Sequence, residues 1–309
     1  MIQKRLFVTS TFALALVIAL PARAEQPRMD FAPLQTNAEV AQGRPIISDG
    51  ERAAASGAVQ NLMSRHAFMH AAGRSLEEIE NYWVKKDGEF ASTATFGSQA
   101  WVMYGLDMIR EIYGVGRASD IETNRAEMSA ADPKVEDVAA NYGAGSPWVM
   151  HMNTTGIIEI AGDGKTAQGT WYSPGINLMP QFEDGKIHMQ SMLFFEKYGA
   201  DFVKEDGVWK IWHLQMASDF APSLPESMLD RVNQQLADLA LGRPIKRVAG
   251  EAGEQQPAWE GVRKPLYSYN TYAPQRSALI YPNLPRPYYA FNETFNNCNC
   301  EQELPDILK

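Results

Sequence analysis

The chain has 309 residues, of which 45% are hydrophobic and 21% are charged, and its formal net charge is -9 at pH 7. This composition is ordinary for a globular protein with one substantial core and some extensions. The excess of acidic residues argues against nucleic acid or an anionic membrane surface as a partner.

The first 24 residues have the features of a secretory signal peptide. Lys4 and Arg5 precede an apolar stretch over residues 6–20, and residues 21–24 supply a small-residue cleavage site. The apolar stretch is too short for a preferred transmembrane helix, and no cysteine follows the cleavage site to carry a lipid. We therefore expect a soluble protein that is periplasmic or secreted.

The segment after the signal peptide predicts a leader and then three helices. Residues 25–50 are polar, contain prolines and show no periodicity, so we interpret them as a leader that wraps the domain or is mobile. Residues 51–73 have apolar side chains at helical spacing. Ser75 is predicted to be the N-cap of a second helix, with Glu78 as its capping-box partner. A third helix is predicted over residues 98–113.

The middle of the chain predicts an antiparallel sheet. Residues 114–146 are charged and weakly periodic, and they predict a lid or an insertion with short helices. Residues 148–219 contain alternating runs joined at two turns, over residues 162–164 and 205–207, as twisted antiparallel hairpins require. Helices followed by strands predict an α+β fold.

The end of the chain predicts one helix and an irregular extension. Ser223 has the position of an N-cap for a helix over residues 223–249. Residues 250–309 are rich in proline, tyrosine and asparagine, and they predict an extended arm that wraps this domain or a partner subunit, or is mobile. Cys298 and Cys300 are the only cysteines. Because a C-x-C pair alone cannot build a tetrahedral metal site, we expect a loose tail with an oxidisable or intermolecular pair.

Two blocks in the strand region carry a resemblance to a known family. Residues 148–172 (WVMHMNTTGIIEIAGDGKTAQGTWY) are similar to a strand with a histidine followed by a glycine- and aspartate-containing turn. Residues 198–211 (YGADFVKEDGVWKI) are similar to a penultimate hairpin. The chain resembles the nuclear transport factor 2-like superfamily, in its SnoaL-like branch, over about residues 54–220.

This resemblance implies a cone-shaped α+β barrel, in which a curved antiparallel sheet wraps around the helices and leaves an apolar pocket open at one end. Members include scytalone dehydratase, a hexachlorocyclohexane dehydrochlorinase, steroid isomerases, polyketide cyclases and lyases that release formaldehyde from lignin-derived aromatic dimers. Most of them work without a cofactor, and many form dimers. Because other members only bind partners, the fold alone does not settle the activity.

The resemblance also implies a site around a histidine. In the dehydratase and the dehydrochlorinase, a strand histidine pairs with an aspartate on the first helix. His151 matches the strand position, and the helix position falls at His70 or Ala71, so no aspartate occupies it. Imidazole can both accept and donate a proton near neutral pH, so we expect His151 to act as a general acid/base, oriented by His70 or by another group. The alternative is a hydrogen-bonded core histidine.

Two further side chains are candidates for the same chemistry. The Tyr172 phenol can donate a hydrogen bond to a developing oxyanion, or it is an aromatic residue packed at the edge of the core. Lys197 shares a strand face with Phe195, which the family pattern turns inwards, so we expect a pocket charge or a snorkelling side chain.

The sequence gives no sign of a cofactor. His66 and His70 lie one helical turn apart, and with His151 their spacing would suit a metal ion. However, no glutamate follows His66 as in the H-E-x-x-H motif. No flavin or nucleotide motif is present either. We therefore expect no metal and no cofactor, and we expect His70 to face the pocket.

These observations predict a cofactor-independent lyase that acts by general acid/base proton transfer on a small aromatic substrate. The reaction is dehydration, isomerisation, or the release of formaldehyde from a lignin-derived dimer to give a stilbene. The alternative is an exported protein that binds a hydrophobic ligand, or dimerises, without turnover. A homodimer or higher homo-oligomer is expected. The expected substrate-binding side chains are Trp83, Trp101, Tyr104, Trp148, Asn153, Phe195 and His213.

Overall fold

A computed structural model describes residues 24–25, 32–131, 148–183, 186–220, 261–268, 282–301 and 303–308. Most of the predicted signal peptide, part of the predicted leader, the whole helix predicted over residues 223–249 and part of the extension over residues 250–309 lie outside the described residues. None of the described helices is long and apolar enough to cross a membrane.

The helices precede the main strands, as predicted. Their bounds are Asn37–Ala41 (α1), Asp49–Ala71 (α2), Ser75–Tyr82 (α3), Leu106–Ile109 (α4) and Arg117–Ala131 (α5), with a π-helical turn at Arg110–Gly116 between the last two. A capping box starts α2, because the Ser48 hydroxyl accepts from the Glu51 amide and the Glu51 carboxylate accepts from the Ser48 amide.

Two predictions about the helices were wrong. Ser75 is not an N-cap: α3 starts at Ser75 without a side-chain cap, because the carboxylate of Glu78 points into the core instead of back to the helix start. The third predicted helix is half hairpin. Thr95–Gly97 (β2) pairs with Val102–Tyr104 (β3), and Gly105, at φ +92°, separates this hairpin from α4.

Seven strands form one curved, unclosed mixed sheet, which together with the helices makes the α+β fold. The bounds of its long strands are Trp148–His151 (β4), Thr154–Ile160 (β5), Thr166–Glu183 (β6), Lys186–Glu205 (β7) and Val208–Phe220 (β8). The order is β3-β2-β8-β7-β6-β4, and β5 pairs with β6 beyond the end of β4. Within this sheet the β2–β8 pairing is parallel, so the sheet is not purely antiparallel as predicted. Both predicted turns join strands here, β5 to β6 and β7 to β8.

The sheet is covered by the helices on one face and by the end of the chain on part of the other. The face towards the helices forms the main core with Trp171, Phe202 and Ile211, which pack against Val59 and Met63 of α2. These apolar side chains, once removed from water, supply most of the favourable free energy of folding. We call this the inner face.

Residues 282–301 cover part of the opposite side, which we call the outer face. Asp201 of β7 is fully buried there and accepts hydrogen bonds from the amide and side chain of Asn297 (2.6 and 2.8 Å), from Gln168 (2.9 Å) and from His213 (2.7 Å). The buried carboxylate is therefore shared between the sheet and the end of the chain.

Cys298 and Cys300 are bonded to each other and are buried against Val102 of β3. The prediction of a loose tail at this point was wrong, because the pair contributes to a small apolar cluster of its own. A two-residue strand at Ala24–Glu25 (β1) also pairs in parallel with Tyr267–Ser268 (β9).

Candidate active site

Two histidines from different layers of the fold meet at the inner face. His151 is the last residue of β4, where the strand stops before β5 begins, and His70 lies in the last turn of α2. Their ring centroids are 4.8 Å apart. Both residues are partly exposed. The break in the sheet edge therefore places His151 beside the end of α2.

A buried carboxyl group completes the cluster. Glu196 of β7 is cross-strand partner to Ser173 of β6, and both lie beside His151. The His151 Nδ1 atom is 3.2 Å from the Ser173 hydroxyl and 3.6 Å from Glu196 Oε2. Glu196 Oε2 is buried and has no hydrogen-bond partner. The Glu196 side chain is 13% exposed and that of His151 is 6% exposed, so both groups sit largely out of water.

Aromatic rings surround the two histidines. Phe194 and Tyr198 are neighbours of His151, with ring centroids 4.7 and 6.0 Å away. Tyr113, from the π-helical turn, stacks on His70 at 5.9 Å and forms a hydrogen bond with its Nδ1 atom. A planar apolar ligand would find ring surfaces on several sides here.

The surroundings keep the two imidazoles neutral and the carboxyl protonated. Burial, followed by the charges of His66 and Arg117, lowers the pKa of His151 to about 3. Burial also holds the pKa of His70 well below its usual value, aided by the charge of Arg117. Burial raises the pKa of Glu196 to about 8, although a hydrogen bond from Tyr198 opposes the rise. At pH 7 the cluster thus contains a proton donor beside two proton acceptors.

Arg117 supplies a positive charge next to this cluster. Its guanidinium donates to the backbone carbonyl of His70 at 3.4 Å, and its Nε atom is buried without a hydrogen-bond partner. The charge acts on both imidazoles and lowers their pKa. The same charge would favour negative charge that develops on a bound ligand.

A protein-family model, described as a SnoaL-like domain, matches residues 51–215, which is more than half of the chain. The chain belongs to the SnoaL-like domain family. No curated protein sequence matches it.

Several solved structures are similar to this SnoaL-like chain. A type 3 hexachlorocyclohexane dehydrochlorinase from Novosphingobium barchaimii is 15% identical, with 58% of this chain and 97% of that chain covered and a TM-score of 0.37. A scytalone dehydratase-like protein from Novosphingobium aromaticivorans is 12% identical, with 58% and 94% covered and a TM-score of 0.39. A dehydratase-like protein from Streptomyces avermitilis is 14% identical, with 50% and 92% covered and a TM-score of 0.32.

Two of the predicted catalytic residues lie away from the cluster. Tyr172 and Lys197 are cross-strand partners on the outer face of the SnoaL-like domain. Tyr172 is 54% exposed, and the Lys197 ammonium pairs with Asp219 at 2.8 Å. The prediction that Lys197 and Phe195 point inwards was wrong, because side chains alternate along β7 and it is Glu196 that faces the helices.

The predicted substrate-binding residues are scattered. Trp83 is fully buried and donates to Glu78 at 3.0 Å, and Trp101 packs edge-on against Phe96. Tyr104 lies under the Arg263 guanidinium, and Asn153 donates a hydrogen bond to the Met63 carbonyl. His213 is buried on the outer face with Asp201, and Phe195 lies on that face too. The side chain of Trp148 is outside the described part of the structure.

The sequence reasoning missed Glu196, Tyr198 and Phe194. The three alternate along one face of β7, in the stretch MLFFEKYGA, and a carboxyl between two aromatic residues at this spacing is the signal that could have found them. Within the described residues, no group of three or more His, Cys, Asp or Glu side chains is arranged to hold a metal ion. The expectation of no cofactor stays a prediction.

The raised pKa of Glu196 predicts a pH-dependent stability. The folded protein binds this proton more tightly than the unfolded chain does, so the stability from this group is complete below about pH 4.5 and is lost as the pH rises through about 8. Relative to the wild type, Glu196→Gln should gain unfolding free energy on the order of 3 kcal/mol between pH 5 and 8.

Urea unfolding at several pH values would measure this gain. Glu77→Gln is the matched control, because Glu77 is an exposed glutamate on α3. A constant difference between Glu196→Gln and the wild type across this pH range would show that the carboxyl is not held protonated.

Proposed function

We propose that this protein is a cofactor-independent lyase that transfers protons on an aromatic substrate. The observation that carries the proposal is the meeting of His70, His151 and Glu196 at the inner face, where burial keeps the two imidazoles neutral and the carboxyl protonated at pH 7. Cofactor-free elimination needs such an arrangement, because one group must take a proton from the substrate while another gives a proton to the leaving group.

In this proposal the acid is the pair formed by His151 and Glu196. Because Glu196 is protonated and His151 is neutral at pH 7, the pair has one proton that it can give away. His151 delivers that proton to the leaving hydroxyl, which departs as water, and Glu196 replaces the proton through Nδ1. Glu196 thus takes the place of the helix aspartate that pairs with the strand histidine in the dehydratase and the dehydrochlorinase and is missing from this chain.

His70 is the base on the other side of the substrate. His70 accepts a proton from the substrate. The electron pair that this proton leaves behind then forms the new double bond. Arg117 favours the negative charge that develops on the substrate during this step. Afterwards the proton on His70 returns to the His151 and Glu196 pair, directly or through water, and the site is restored.

The proposed substrate class is an aromatic alcohol, supported by the rings of Phe194, Tyr198 and Tyr113. We further propose a lignin-type dimer, a 1,2-diarylpropane-1,3-diol with a free phenol. Loss of its benzylic hydroxyl together with the phenolic proton, as one water, gives a quinone methide. Removal of the proton from its terminal hydroxyl then cleaves the carbon–carbon bond, which releases formaldehyde and returns the electrons to the ring as the phenolate of a stilbene. The phenolate then takes up that proton, so the products are a phenolic stilbene, formaldehyde and water.

We also propose that the protein is exported and forms a homo-oligomer. The Cys298–Cys300 disulfide supports an oxidising compartment. The exposed apolar side chains Met150, Met152 and Ile157 at the β4–β5 edge support contact with a second copy. Light scattering at micromolar concentration would test the second point, and a monomer would contradict it.

Conversion of a substrate panel would test the proposed function. We expect the purified protein, with a chelator present, to convert at least one aromatic alcohol with loss of water, of formaldehyde, or of both, as followed by mass spectrometry. Conversion that is lost with the chelator and restored by a divalent ion would contradict the mechanism. Binding of panel members without conversion would favour the non-catalytic alternative.

The outer-face residues provide controls for the same assay. Tyr172→Phe and Lys197→Met should keep kcat and KM within about twofold of the wild type, because neither side chain reaches the cluster. A loss of more than tenfold in a folded variant would place the chemistry on the outer face instead.

A further inference from the structure

A fully buried carboxyl group lies directly behind His70. Glu78 of α3 is 0% exposed and receives three hydrogen bonds. The Glu78 Oε1 atom is 2.8 Å from His66 Nδ1 and 3.0 Å from Trp83 Nε1, and Oε2 accepts from the Tyr113 hydroxyl at 2.8 Å. Both oxygens are thereby engaged, so the carboxyl can act on the site only through the groups that it binds.

Tyr113 connects Glu78 to His70 through two hydrogen bonds. Because the tyrosine proton is donated to Glu78, the phenolic oxygen can only accept from His70 Nδ1, which lies 3.0 Å away. A neutral imidazole has one N–H and one lone pair. A proton held on Nδ1 therefore leaves the lone pair on Nε2.

The chain is built to bring Tyr113 to this position. Tyr113 lies in the π-helical turn, a local irregularity that is frequent at functional sites. The next residue is Gly114, where a Cβ atom would come within 3.1 Å of Ile79 and 3.2 Å of Leu76. The missing side chain lets the turn approach α3 closely enough for the Tyr113 hydroxyl to reach Glu78.

The same carboxyl separates the roles of the two helix histidines. His66 faces Glu78 directly and is 2% exposed, whereas His70 reaches Glu78 only through Tyr113 and remains partly exposed. His66 is thus part of the support, and His70 is the one that presents a ring nitrogen to a ligand.

We propose that Glu78 and Tyr113 are positioning residues that hold His70 in the tautomer with its proton on Nδ1, so that Nε2 is the proton acceptor of the site. The catalytic meaning of this inference rests on the proposed function, but the tautomer does not. When a histidine is already held in the reactive tautomer, no free energy is needed to select that tautomer during the reaction. Orienting carboxylates have the same role in other acid/base sites.

Long-range proton–nitrogen NMR correlations on protein labelled with ¹⁵N-histidine would test the inference without any substrate. In the wild type at pH 7, His70 should show a protonated Nδ1 and an unprotonated Nε2. Tyr113→Phe should turn this signal into a mixture of both tautomers. Tyr104→Phe is the matched control, since this tyrosine packs beside the Cys298–Cys300 disulfide and should leave the His70 signal unchanged.

A wild-type His70 with its proton on Nε2, or an unchanged signal in Tyr113→Phe, would overturn the inference. The wild-type spectrum alone decides the first point, even if the variant does not fold. On any substrate that the panel identifies, Tyr113→Phe should lower kcat roughly 10- to 100-fold with little change in KM. If the tautomer is as proposed and no substrate is converted, the proposed function fails and the positioning inference stands.

Discussion

His151→Ala is expected to lower turnover by roughly two to four orders of magnitude, because it removes the group that passes a proton to the leaving hydroxyl. The unfolding free energy should stay within about 1–2 kcal/mol of the wild type, since His151 is the last residue of β4 and its ring packs at the end of the strand. Initial rates on a converted aromatic alcohol, together with urea unfolding, would measure both quantities.

His151→Gln separates the proton from the hydrogen bond. A glutamine amide can keep a hydrogen bond to Ser173 but cannot carry a proton, so its rate should be little better than that of the alanine variant. Normal turnover in a well-folded His151→Ala protein would remove His151 from the mechanism. A large loss of stability with an unchanged rate in the folded fraction would identify His151 as a core residue.

Asp201→Asn should have the largest effect on stability. The substitution places an amide donor among the donors of Asn297, Gln168 and His213, and it leaves the buried His213 ring without its carboxylate. Because each buried donor left without a good acceptor costs about 1–3 kcal/mol, we expect a total loss of about 3–5 kcal/mol. We also expect residues 282–301 to come away from the outer face, since Asn297 is fastened there by two hydrogen bonds.

Urea unfolding would measure the loss, and limited proteolysis would report the release of the segment. The control is Asp163→Asn in the turn between β5 and β6, where the carboxylate accepts only a local backbone hydrogen bond from Lys165. This variant should lose less than about 1 kcal/mol. An Asp201→Asn protein as stable as the control, with its end still protected, would show that Asp201 does not hold the segment.

Local patterns predicted much of this fold. The helical spacing before Gly73, the glycine-containing turns over residues 162–164 and 205–207, and the alternation between them are features of neighbouring residues, and the structure has the corresponding helix and hairpins. The prediction of a third helix was wrong because the conformation there depends on contacts with a distant part of the chain. At Gly97 a Cβ atom would come within 2.7 Å of Gln215, so the β2–β8 pairing, which joins distant parts of the chain, decides the conformation there.

The facing of β7 could not be read from its own residues. An alternating strand shows its orientation when one face is apolar and the other polar. Here residues 282–301 also cover part of the outer face, so Lys197 is as buried as Phe194, in a stretch that has aromatic residues on both faces. An error of one residue in assigning the strand faces moves every side chain to the opposite face. This error placed Lys197 at the site in the prediction, where the structure has Glu196.

The meeting of His70 and His151 was expected from the family resemblance. The hydrogen bonds that connect His70 through Tyr113 to Glu78 were not expected. Glu78 had the spacing of a capping-box partner for Ser75, and that local explanation was sufficient. Only the tertiary fold brings His66 of α2 and Tyr113 of the π-helical turn to the carboxyl that the nearby Trp83 also binds.

The pH dependence of kcat/KM on a converted substrate tests the central claim most directly. If a protonated Glu196 and neutral histidines are the working form, kcat/KM of the wild type should be constant between about pH 5.5 and 7.5 and fall about tenfold per pH unit above pH 8. Glu196→Gln should be slower and lack this fall. A wild-type kcat/KM that rises as the pH passes through 8 would contradict the account.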